Sequence, residues 1–92
     1  MEENIYKLCE RVDAKNASKI QKELDEFTGD GSGDVKIDFA DNKYISSAGL
    51  RAILVVQKKM TKGGGSQTLI NVSEAVKEIF DVTGYSRFLT IE

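Results

Sequence analysis

The chain has 92 residues, 40 % hydrophobic and 30 % charged, enough for one thin core and too few for a second domain. It has no histidine, no proline and a single cysteine, Cys9, so it lacks the usual general base, the commonest metal ligand and any intramolecular disulfide or cysteine-cluster zinc site. Residues 1–46 hold seven Lys/Arg against eleven Asp/Glu and residues 47–92 six against four, so neither half is a nucleic-acid footprint, and no apolar run approaches the roughly 18–20 residues of a membrane span.

These two features predict no nucleic-acid or membrane partner, and Met1-Glu2-Glu3-Asn4, acidic where a secretory signal is basic, predicts a cytoplasmic protein. Ile5-Tyr-Lys-Leu-Cys9 mixes β-branched, aromatic and apolar types and predicts a short strand, with Cys9 as a small buried hydrophobe. Ala17, Ile20, Leu24 and Phe27 then recur in helical register, opposite Lys19, Lys22, Glu23 and Glu26. This spacing predicts an amphipathic helix over 14–27, capped by Asp13 or Asn16. Thr28 to Asp34 contains three glycines and ends it.

Val35-Lys-Ile-Asp-Phe39 alternates apolar and polar, the period of a half-buried strand. Ala40 to Ser46 reads as a polar connection carrying Tyr44 and Ile45. A second helix is predicted from Ser47 to about Thr61, burying Leu50, Ile53, Leu54, Val56 and Met60. Gly63-Gly64-Gly65 stops it before a strand at Thr68-Leu-Ile70. Ser73 caps a third helix with Ala75, Val76, Ile79, Phe80 and Val82 facing inward, Gly84 ends it, and Phe88 to Ile91 forms a last strand. The order β-α-β-α-β-α-β predicts a single α/β domain over 1–92: a mixed, mainly parallel four-stranded sheet packed with about three helices.

Few features carry chemistry. The triple glycine follows a helix and precedes a strand, the reverse of a phosphate-binding loop. Asp30, Ser32 and Asp34 alternate like calcium ligands, but Val35 stands where such a loop needs glycine and Asp41 where it needs glutamate, so a surface loop is expected. Asp38 and Asp41 are solubilising charges rather than paired catalytic carboxylates. Lys58, Lys59 and Lys62 read as a solvated basic run near a helix C-terminus. No catalytic residue, cofactor or metal is expected.

Tyr44-Ile-Ser-Ser-Ala-Gly-Leu-Arg51 is different, because two serines sit where a loop becomes a helix N-terminus. Free N–H groups and a partial positive charge there favour an added anion, while either serine also suits a plain N-cap. On a helical wheel Ser47, Ala48, Arg51 and Val55 line up outside the core stripe, with Lys58 and Lys62 as a basic margin. This strip is a candidate partner-facing surface.

The same segment resembles the phosphoacceptor motif of the STAS-domain family of bacterial anti-sigma factor antagonists, Asp-Ser-Ser/Thr-Gly-Leu-Gly opening a helix. Arg11-Val-Asp-Ala-Lys-Asn-Ala17 is similar to the family's Leu-Asp segment, and Asn71 to Gly84 to its third helix. Gly49-Leu50 in register puts Ser47 in the phosphoacceptor slot and Ser46, a competing acceptor, in the slot usually held by Asp. Together with the strip Ala48, Arg51, Val55 and Lys58 drawn from the wheel, the resembling segments Asp13, Asn16, Ser46 and Gly49 make the expected docking face. The resemblance implies a partner that is an anti-sigma factor and serine-protein kinase, bound while Ser47 is unmodified, and a serine phosphatase that resets the switch. A small-ligand sensing module, for a nucleotide or lipid, is the alternative. Relative to the family the chain is expected to lack the first strand and the final helix, leaving an edge for a partner or a homodimer to cover.

Overall fold

The computed structural model describes residues 4–92. In chain order its elements are β1 (Asn4–Lys7), β2 (Arg11–Val12), α1 (Ala17–Thr28), β3 (Asp34–Asp38), β4 (Tyr44–Ile45), α2 (Ser47–Gly63), β5 (Ser66–Ile70), α3 (Glu74–Thr83), a 3-10 turn (Tyr85–Arg87) and β6 (Thr90–Ile91). The main sheet has the order β1-β3-β5-β6 with every pair parallel. Because each strand lies beside the previous one and crossovers of this kind are right-handed, the three helices feed one core on one face of the sheet. Val35, Ile37 and Leu69 from the strands meet Ile20 and Leu24 of α1, Leu50, Ile53, Val56 and Met60 of α2, and Val76 and Phe80 of α3. A T-shaped contact between Phe39 and Phe80, centroids 6.0 Å apart, ties the end of β3 to α3.

The two glycine-rich loops meet at the end of the sheet where β3 and β5 begin. A Cβ on Gly65 would lie 2.0 Å from the Gly33 carbonyl oxygen, so only glycine permits this approach. The Gly65 N–H donates to Gly31 O at 3.0 Å, and the Ser66 N–H to Gly33 O at 3.1 Å. The Asp30 carboxylate is occupied by the N–H and hydroxyl of Ser32, and that of Asp34 by the Ser66 hydroxyl.

Several expectations need correction. The first strand ends at Lys7, and Cys9 is exposed in the loop beyond it, because the chain turns there to enter a second ladder. Ala40 to Ser46 is not all connection, since Tyr44–Ile45 pairs in parallel with Arg11–Val12. Ala75 and Val82 of α3 are exposed, Val82 at 80 %, because the buried stripe follows Val76 and Phe80. Phe88 precedes the last strand rather than starting it and is 63 % exposed. Asp38 does not simply face solvent. It is half-buried and accepts hydrogen bonds from the Ala40 N–H and the Asn71 amide, both at 2.9 Å.

Candidate functional site

The two-stranded ladder β2–β4 brings the entries of α1 and α2 side by side. Arg11 pairs with Tyr44 and Val12 with Ile45, and the Ser46 N–H donates to Val12 O at 2.8 Å, extending the pairing to the residue that precedes α2. The Arg11 guanidinium lies 4.4 Å above the Tyr44 ring centre and hydrogen-bonds Asp13 at 3.1 Å. Buried Asn42 braces the ladder from behind, its amide donating to Cys9 O at 2.9 Å and Tyr44 O at 3.1 Å.

On the α1 side, neither predicted cap acts in the usual way. Asn16 occupies the N-cap position, but its side-chain oxygen turns back to accept the Asp13 N–H at 2.9 Å, and its amide donates to Arg11 O at 2.8 Å. Asp13 accepts the N–H groups of Lys15 and Asn16 at 2.9 and 3.3 Å, closing a turn ahead of the helix. Partial burial pushes the Asp13 carboxyl up, but the Lys15 N–H, Arg11 and the Asn16 N–H outweigh it and hold the group below the ordinary aspartate range.

On the α2 side the two serines have different jobs. Ser46 is the N-cap: its backbone is extended and its hydroxyl accepts the Gly49 N–H at 3.2 Å. Ser47 is the first helical residue and is exposed, with its side chain at the mouth of a 17-residue helix. Gly49 is buried, and a Cβ there would stand 2.6 Å from Val12 Cγ1 and 2.7 Å from Ile45 Cγ1. Gly49 therefore lets α2 sit against the β2–β4 ladder and offers no surface to a partner, contrary to its expected place on the docking face.

Further along α2, Arg51, Val55 and Lys58 are exposed and Ala48 half-buried, on the outer face running away from Ser47. Val55 is 41 % exposed at the rim of a groove of about 310 Å³ between α1 and α2. Lys59 leaves the basic run by bridging to α1, donating to the Asp25 carboxylate at 2.9 Å and to Asp25 O at 2.8 Å. The structure thus gathers Asp13, Asn16, Ser46 and Ser47 at one end, with Arg51, Val55 and Lys58 extending along one helix. The sequence reading missed Arg11, Tyr44 and Asn42. Tyr44-Ile45 and the Arg-Val pair were legible only as β-favouring dipeptides, too short to show a period.

The STAS domain profile matches residues 2–92. The chain belongs to the STAS-domain family. Over 74 residues it is 34 % identical to a Bordetella bronchiseptica protein named "Putative anti-sigma factor antagonist BtrV", covering 80 % of this chain and 64 % of that one. Over 80 residues it is 31 % identical to the anti-sigma-B factor antagonist of Bacillus subtilis, covering 87 % of this chain and 72 % of the relative. The chain therefore spans just under two thirds of the length of BtrV. The anti-sigma factor antagonist SpoIIAA in its unphosphorylated form superposes with a TM-score of 0.77 at 18 % identity, over 96 % of this chain and 77 % of that one. Its phosphorylated form gives 0.71 at 16 %, over 96 % and 80 %. At these identities the likeness is one of fold, and the fold is the α/β arrangement expected for a STAS domain. Among the described residues no helix is long and apolar enough to cross a membrane.

Proposed function

We propose that this STAS domain is an anti-sigma factor antagonist, a non-catalytic binding module whose docking is switched by phosphorylation of Ser47. The observation that carries the reading is the division of labour between adjacent serines. The Ser46 hydroxyl is engaged as the cap of α2, whereas Ser47 is exposed at the same helix mouth. Relatives named as anti-sigma factor antagonists support the class of partner.

In the proposed cycle the partner, an anti-sigma factor with serine-kinase activity, binds the face built from the α1 and α2 entries and the strip Ala48-Arg51-Val55. Transfer of the γ-phosphoryl group of ATP forms a bond from phosphorus to Ser47 Oγ, releases ADP and passes the hydroxyl proton to a kinase base. The product carries about −1.5 to −2 charges at neutral pH. The unpaired N–H groups of the first turn and the Arg51 guanidinium, one helical turn along, accommodate that charge, so the domain's own fold changes little. The partner instead loses its contact through exclusion and repulsion, and a serine phosphatase restores it by hydrolysing the ester to serine and inorganic phosphate.

Incubation with ATP and the cognate kinase, followed by mass-spectrometric localisation, tests the reading. Phosphate on Ser47, lost in Ser47→Ala and retained in Ser46→Ala, supports it. A chain that binds its partner equally well with Ser47→Asp, or that carries phosphate on Ser46 alone, refutes it.

A further inference from the structure

The second half of α2 and the outer face of α3 carry opposite charges around exposed apolar groups, and, Lys59 apart, these charges are in no ion pair among the described residues. Beside the last two turns of α2 lies a groove of about 330 Å³, lined by Leu54, Gln57, Lys58, Thr61, Lys62 and Phe88. It is mainly apolar, with Phe88 63 % exposed and two ammonium groups along its rim. From Ser47 to Gly63, α2 contains Arg51, Lys58, Lys59 and Lys62 and no acidic residue. Among the described residues only Lys59 has an ion-pair partner there, Asp25, and Lys58 and Lys62 are in no ion pair.

The complementary surface is on α3. Ala75 and Val82 form an exposed apolar ridge with half-buried Ile79, and Glu74, Glu78 and Asp81 run along its flank, with Lys77 further round. None of these three carboxylates is ion-paired among the described residues. The dimensions agree. Leu54 to Lys62 spans about 12 Å of helix and Ala75 to Val82 about 10 Å at ~1.5 Å per residue.

We propose that a second copy of this chain fills the groove, the α3 ridge of each protomer seating between Leu54 and Phe88 of its partner, with Glu78 and Asp81 facing Lys58 and Lys62. Reciprocal use of groove and ridge closes a two-fold dimer rather than a filament. The charges select the orientation, and burial of Val82 and Phe88 supplies the apolar part. Along α2 the site runs from about 10 Å (Leu54) to about 22 Å (Lys62) from Ser47 at ~1.5 Å per residue, so it is separate from the proposed phosphoacceptor.

Sedimentation equilibrium over a wide concentration range tests this. The weight-average mass of the native chain should rise from 10.2 kDa toward twice that value and fall back as salt is added. Lys58→Glu/Lys62→Glu and Glu78→Lys/Asp81→Lys should each weaken association at least about tenfold, and mixing the two variants should restore it, because both contacts are then attractive again. Circular dichroism melts check that the surface variants stay folded. Ser47→Asp should leave the mass curve unchanged. A native chain monomeric at every concentration, a mixture that fails to recover, or a mass curve altered by Ser47→Asp would each overturn the proposal.

Discussion

Replacing Ser46 and Ser47 one at a time by alanine should separate a structural hydroxyl from a free one. The Ser46 hydroxyl accepts the Gly49 N–H at 3.2 Å and is the side-chain cap of α2. Its loss leaves that donor without its cap partner and should cost ~1 kcal/mol, within the range of about 0.5–2 kcal/mol for N-cap removal. Ser47 is exposed at the first helical position, where alanine is a good helix former, so its replacement should stay within about 0.5 kcal/mol of native. For a 92-residue domain the unfolding entropy is roughly 0.19 kcal/mol/K, so the expected fall in Tm is about 5 °C for Ser46→Ala and under about 3 °C for Ser47→Ala. Thermal melts followed by circular dichroism read both directly. Equal losses, or a larger one at Ser47, would mean that the Ser47 hydroxyl is also structural, and the argument for its availability would fail.

Gly49→Ala sets a helix-propensity gain of ~1 kcal/mol against overpacking of roughly 1–3 kcal/mol, because its Cβ would meet Val12 and Ile45 at 2.6 and 2.7 Å. A net loss of up to about 2 kcal/mol is expected in denaturant unfolding; stabilisation would show that α2 can shift off the ladder freely. Gln67 is fully buried beneath α2, its amide donating to Gln57 Oε1 at 3.2 Å and Ile53 O at 3.4 Å while its oxygen has no partner among the described residues. Gln67→Met removes the unpaired oxygen and both long bonds together, so stability should stay within about 1 kcal/mol of native, and a larger shift of the urea midpoint would refute that balance. Val55→Asp should abolish binding to the proposed partner in a pull-down and leave Tm nearly unchanged, since Val55 is 41 % exposed; a large fall in Tm would return it to the core. Burial, then the hydrogen bond and charge of Glu23, raise the Tyr6 hydroxyl above its ordinary range. The folded state thus keeps that proton longer than the unfolded chain, so stability is full below about pH 10 and falls as pH rises beyond it. Tyr6→Phe should flatten that alkaline limb, and an unchanged limb would place the titration elsewhere.

The helices and central strands were legible because their signals repeat locally. Leu50, Ile53, Val56 and Met60 mark one face of α2, and Val35 and Ile37 alternate along β3, before any tertiary contact is known. The same local rules fail on α3, where periodicity points Val82 inward although Val76 and Phe80 set the buried direction. The outward strip Ser47-Arg51-Val55 also followed from helical periodicity, and its surface exposure agrees with the wheel.

Sequence by itself determined the alternation of elements, the α/β class and the position of a serine pair at a helix entrance. Tertiary structure alone decided which serine is free, because that depends on the β2–β4 register that anchors Ser46 through Val12 O and on the cap bond from Gly49. It also decided that Cys9 is exposed, that Gly49 is a packing residue and that Asn42 braces the site. Two-residue strands and side-chain bonds spanning some thirty residues leave no periodic trace, for they arise only when distant segments are brought together by the core.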